Sequence, residues 1–214
     1  MKKIFSVIVC LFMLVMLQGV SFGDTTSTTI KGPYISSQLG AAILTDSDLT
    51  APEGTGTIEF KPGYAVGLAG GYNFGMFRLE GEIGYQINDI DKVSACSGGY
   101  CGSGNASGNV TALSGLANVY IDFVNSSPVT PYISGGIGVA RIDINDFKIE
   151  GTLIGDADDT VFAWQVGAGV AFAINQHFTI DLKYRYFATA DLEFTDTKYT
   201  VASHNIYFGF RYNF

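Results

Sequence analysis

Eight charged side chains recur along stretches of alternating residue type: Arg78, Glu80 and Glu82; Asp122; Asp181, Lys183 and Arg185; and Arg211. Carboxylates set among cations support two kinds of chemistry. A pair held apart in a cleft performs general acid–base catalysis, whereas acids and bases matched in number on one buried face neutralise each other. Four acids meet four bases here, which favours an ion-pair network. A charge-selective pore would carry an excess of one sign. Counted up from the nearest short turns, Glu80 and Glu82 fall at nearly the height of Asp181, Lys183 and Arg185, and Arg211 falls near Asp181.

Nucleophilic and metal chemistry find less support. Of the two histidines, His177 lies at a short turn. His204 sits on an apolar face with Ser203 pointing the other way, so no nucleophile with an oriented base emerges. The chain is therefore expected to have no enzymatic activity and no cofactor. Cys96 and Cys101 lie in the segment SACSGGYCGSG. In an exported chain they favour a disulfide pinching a loop, and the absence of other soft ligands nearby argues against a metal site. Asp146, Glu150, Asp156, Asp158 and Asp159 cluster against Lys148. Clustered carboxylates suit hard cations, but without recognised ligand spacing a solvated acidic loop is the favoured reading.

Export is read from the first residues. Met1-Lys2-Lys3, the apolar run Ile4 to Leu17 and Ser21-Phe22-Gly23 form the three parts of a secretory leader. The expected division is a cleaved leader over residues 1–23 and one domain over 24–214. Loss of Lys2 and Lys3 takes the net charge from −8 to −10, which makes nucleic acid an improbable partner. With 27 Gly against 5 Pro, the composition favours sheet with polar loops over disorder.

These residues must be positioned by strands. Eight alternating segments are expected, at Tyr34–Leu44, Phe60–Phe74, Met76–Asn88, Val110–Val124, Tyr132–Ile144, Val161–Ile174, His177–Ala190 and Val201–Phe214. Each approaches the length a tilted strand needs to cross a bilayer. Short connections (75–76, 125–130, 175–176) alternate with longer polar ones (45–59, 89–109, 146–160, 191–200), as in a bacterial barrel with tight periplasmic turns and long outer loops. The fifth segment breaks parity: Ile142 and Ile144 oppose Ile133, Ile137 and Val139, with Arg141 and Asp143 between. A β-bulge near Gly138–Ala140 that returns Arg141 to the lumen, or a premature strand end, would account for it.

Alternation alone leaves open a soluble exported β-barrel that binds a ligand inside. The aromatics favour lipid instead. Large rings end each apolar face: Phe60, Tyr64, Tyr72 and Phe74; Phe77 and Tyr85; Phe162, Trp164 and Phe172; Phe178, Tyr184 and Tyr186. Small aliphatics fill the middle, so the rings form two girdles at the membrane interfaces. The fold expected is all-β, an eight-stranded antiparallel up-and-down transmembrane barrel in the bacterial outer membrane, with lipid as its partner. The charged face would then plug a lumen just wide enough for side chains. A small porin-like channel is the alternative reading.

The terminal Tyr207-x-Gly209-x-x-Tyr212-x-Phe214, with PYISGGIGVARI and WQVGAGVAFAINQHFTIDLKYRYF, resembles the OmpA-like opacity-protein and surface-antigen family of small Gram-negative barrels. The resemblance implies that Gly209, Tyr212 and Phe214 belong to the signal read by the barrel-assembly machinery. It also implies a surface antigen linked to adhesion or envelope integrity, touching a host-surface ligand through its loops. No catalytic or binding residue carries over from it.

Overall fold

The computed structural model describes residues 31–214 apart from 46, 52, 53, 98, 99, 150, 151, 191, 195, 196 and 200, so the expected leader lies outside the described residues. The strands are β1 (Gly32–Leu44), β2 (Ser47–Ala51), β3 (Gly54–Phe60), β4 (Gly63–Asn73), β5 (Phe77–Ser97), β6 (Tyr100–Asp122), β7 (Val129–Ile149), β8 (Thr152–Ala173), β9 (Phe178–Thr189), β10 (Leu192–Phe194), β11 (Thr197–Tyr199) and β12 (Ala202–Asn213). Eight of them close into an antiparallel ring in the order β1, β4, β5, β6, β7, β8, β9, β12. The last pairs back onto the first from Tyr34↔Asn213 to Leu44↔Ser203. The β2–β3 hairpin extends the sheet beside upper β5, and β10–β11 forms a separate hairpin.

Period-two alternation sorts the side chains. Along β4, Tyr64, Val66, Leu68 and Tyr72 point outward and stay exposed, while Ala65 and Asn73 are buried inward. The short turns share one device, an asparagine carboxamide accepting backbone N–H groups. Asn73 takes Gly75 N at 2.8 Å, Asn125 takes Ser127 N at 2.7 Å, and Asn175 takes His177 N and Phe178 N at 2.9 Å. Gly75 itself sits at φ 110°, where a side chain would be strained.

Tyrosines fill the interior by lying flat on glycines directly across the ladder. Tyr34 pairs with Gly71, and Tyr132 with Gly169. A Cβ at either glycine would stand 2.6 Å from the facing ring. Outward-facing Gly81 has nothing within 4 Å of a Cβ.

Three expectations are corrected. The long connections at 89–109 and 146–160 are largely strand, not loop: β5, β6, β7 and β8 run 21 to 23 residues and close at Ser97↔Tyr100 and Ile149↔Thr152. Their Gly, Ser and Asn residues extend the ladder through backbone bonds that need no apolar alternation. One half of the ring thus rises well above the other, since β1, β4, β9 and β12 have only 11 to 13 residues.

The fifth segment, β7, contains neither the bulge at 138–140 nor an early end. Its pairing with β6 is continuous from Asp122↔Tyr132 to Asn109↔Asn145, and with β8 from Val129↔Phe172 to Ile144↔Ala157. Arg141 points outward, its side chain 55% exposed, and pairs with Asp143 at 3.0 Å and Asp158 at 3.1 Å. Ile142 points inward at 2% exposure. Parity is kept and polarity changes. Ile90 and Val110 are likewise buried inside, while Asp89 and Thr111 flank them on the outside. Beyond the hydrocarbon the exterior meets water, so apolar groups move inside. Phe60 is corrected for the same reason: it packs against this inner apolar cluster, away from the outer ring of aromatics.

Gly71→Val and Gly169→Val are expected to destabilise the barrel by about 1–3 kcal/mol through overpacking against tyrosine. Gly81→Ala should leave stability within about 0.5 kcal/mol. Urea unfolding of protein refolded into vesicles measures both.

Candidate functional site

All eight charged residues singled out above face the lumen. Adjacent strands β5 and β6 bring Arg78 and Asp122 together in a bidentate pair, with N···O distances of 2.7 and 2.9 Å. Arg211 on β12 contacts both Asp181 oxygens on β9, at 2.9 and 3.0 Å. Glu82 reaches across the lumen from β5 to β9, 2.6 Å from Arg185 Nη1 and 3.9 Å from Lys183 Nζ. It also accepts from Asn118 at 2.9 Å. Glu80 accepts from Tyr120 at 2.7 Å, Tyr34 at 3.0 Å and Asn118 at 3.2 Å.

The tyrosines bind charge as well as fill space. Arg78 lies over Tyr120 with 4.2 Å to the ring centroid, and Arg185 over Tyr207 with 4.5 Å, where the hydroxyl also accepts from Arg185 Nη2. Each cation gains a ring face as well as a carboxylate. A cavity of about 30 Å³ remains between Ser36, Glu80, Lys183 and Arg211. A second, about 10 Å³, lies beside Arg185 and Phe187.

Sequence spacing placed these residues on one face but missed the Arg78–Asp122 pair and the roles of Tyr34, Tyr120, Tyr132 and Tyr207. Two carried a visible signal: Tyr120 shares the parity of Asp122 on its own strand, and Tyr207 that of Arg211.

On the exterior, Tyr64 and Tyr72 bracket β4, and Phe162 and Phe172 bracket the ring portion of β8. Trp164 meets Tyr186 with centroids 5.6 Å apart, and Phe74 meets Tyr72 at 4.7 Å. Phe77 and Tyr85 are exposed on the outer face of β5. Phe178 contacts Tyr212, which meets Phe214 edge-on at 5.1 Å. Gly209 lies between Gln38 and Asp181 on the inner face.

His204 Nδ1 is 2.6 Å from the Tyr184 hydroxyl on the outer face, while Ser203 is buried inside and donates to Gln86 at 3.2 Å. His177 stacks on Tyr212 at the inner rim. Among the described residues no group of three or more potential metal ligands occurs. In the acidic hairpin, the side chains of Asp146, Glu150 and Asp156 lie outside the described residues.

A closed antiparallel ring with an apolar exterior and a charged, hydrogen-bonded interior defines a transmembrane β-barrel. The chain belongs to the outer membrane protein beta-barrel domain family, whose model matches residues 8–214, and its place is the bacterial outer membrane. It is 31% identical to outer membrane protein PagN of Salmonella typhimurium over 109 residues, covering 48% of this chain and 45% of that protein. An uncharacterised protein of Brucella abortus is 27% identical over 149 residues, 60% of this chain and 52% of that one. The chain thus spans about half the length of the curated relatives it matches. Among solved structures it resembles Neisserial surface protein A, with a TM-score of 0.53 at 20% identity over 84% of this chain and 97% of that one. It also resembles the Escherichia coli outer membrane protease OmpT, with a TM-score of 0.52 at 8% identity over 89% and 100% of the two chains. The fold is shared by a surface protein and a protease, so fold decides nothing about catalysis.

Replacing Glu82 alone by Gln, or Arg185 alone by Gln, is expected to cost about 3–5 kcal/mol, because each leaves a buried charge without its partner. The combined variant E82Q/R185Q should cost much less than the sum. A double-mutant cycle of vesicle-refolded protein in urea reads the coupling.

Proposed function

We propose that this protein is a non-enzymatic outer-membrane surface protein that uses its projecting hairpins to contact another surface, on a barrel whose lumen passes no steady current. The observation that carries this is the length of β5–β8, which lift two paired hairpins above the ring on one side. Recognition elements on rigid supports lose less entropy on binding than free loops do. The β7–β8 hairpin sequence holds five acids against Lys148, which favours a basic partner. The matched ion pairs, and the water-sized cavities found beside them among the described residues, support the non-conducting reading.

Cys96 and Cys101 fit the same role. Their side chains lie outside the described residues, but the backbone pairs the two positions one step from the Ser97↔Tyr100 closing pair. Directly opposed residues of an antiparallel ladder stand close enough for a disulfide, which would pin the hairpin tip. The aromatic ends of the strands serve as interface anchors, and Gly209, Tyr212 and Phe214 as the assembly signal.

Heat-modifiable gel mobility and protease shaving of intact cells test the placement. A folded band that runs fast unboiled, with cleavage confined to the hairpins, is expected. Replacing 95–102 by Asn-Gly keeps Ser94 opposite Ser103. That variant should fold normally and lose any binding to host cells that the wild type displays. Unaltered binding would exclude this hairpin as the contact. Unreduced protein should resist thiol labelling at Cys96 and Cys101, and planar-bilayer recordings of the wild type should be silent.

A further inference from the structure

Chemistry changes along the barrel axis. Near the periplasmic end the lumen is ionic, and Glu82 and Arg185 form the uppermost pair of its ion-pair network. Above them, the inward-facing positions among the described residues are uncharged as far as Asp159, which stands opposite Ile142 on the ladder. An apolar cluster starts at Leu116, the ladder partner of Glu82, and continues through Leu44, Ile90, Val110, Ile142 and Phe187. Small Ala140 and Ala163, both fully buried, let it close.

The wall beside this cluster is polar yet largely self-satisfied. Gln86 donates to Asn88 at 2.9 Å, and Asn88 donates to the carbonyls of Ala42 and Lys61 at 2.9 and 3.0 Å. Ser203 donates to Gln86 at 3.2 Å, and Asn205 to Ser203 at 3.2 Å. This chain leaves few groups free to hydrate a passing ion.

We infer that the apolar cluster of the outer lumen, and not the ion-pair layer beneath it, is the barrier that keeps ions from crossing the lumen. The inference rests on the non-conducting reading above and assigns that property to a place. Hydrated ions entering an apolar constriction lose water and gain no partner, so such a segment blocks by dewetting. The ion-pair layer offers the opposite environment. It is lined by carboxylates, cations and hydroxyls, and already encloses a cavity of water size. Charge pairing there holds strands together, and the apolar layer above excludes ions.

Three full-length proteins in planar bilayers separate the possibilities: wild type, E82Q/R185Q, and L116S/I142S. Wild type and E82Q/R185Q should be silent, and L116S/I142S should pass at least about tenfold more current. Current through E82Q/R185Q, or silence of L116S/I142S, overturns the assignment. A conducting wild type instead sinks the non-conducting reading itself, and this inference with it. Folding of each protein is read from unboiled gel mobility. If L116S/I142S fails to fold, V110T takes its place with the same ordering expected.

Discussion

Hydrocarbon supplies no hydrogen bonds, so the rest of the molecule depends on the seam where its last barrel strand meets its first. Eleven consecutive residue pairs join β1 to β12, from Tyr34↔Asn213 to Leu44↔Ser203. An open edge within lipid would leave a row of backbone groups unsatisfied, each costing several kcal/mol (of order 2–7). Closure of eight strands in turn sets a lumen radius that side chains must fill. The flat tyrosines on glycines and the ion pairs are what that radius requires.

Charges inside a barrel carry a heavy desolvation cost, which pairing only offsets. Their compensating value lies in register. Slipping any strand by one residue would turn its lumen face toward lipid. For β5 that would expose Arg78, Glu80 and Glu82 to hydrocarbon, and for β9 Asp181, Lys183 and Arg185. Glu82–Arg185 adds a tie across the lumen between strands that are not neighbours in the ring. The ionic layer therefore penalises misregistered barrels more than it stabilises the native one.

The ring strands were legible because period-two alternation with apolar exteriors survives the absence of any alignment. Arg211 near Asp181 was legible too, since both lie a few residues from a short turn and height could be counted. Arg78–Asp122 was not, because a cross-strand pair requires a register that 21- and 23-residue strands do not reveal in one sequence. The hairpin extensions escaped for a different reason. Where both faces meet water, Gly, Ser and Asn satisfy the ladder as well as valine does, and the alternation signal vanishes.

Ile142, Ile144, Arg141 and Asp143 reverse the alternation seen lower on the same strand. Their reversed pattern marks a change of solvent around an unbroken strand, with no change in backbone geometry. The exterior at Val139 faces lipid and at Arg141 faces water, so the outer membrane boundary crosses β7 between them. The same switch falls between Ile87 and Asp89 on β5 and between Leu113 and Thr111 on β6. Inside, the apolar cluster spans this level, from Leu116 below it to Val110 above. The barrel wall thus passes from a membrane protein to a water-soluble one along continuous strands. The interior changes with it because each face responds to the medium opposite.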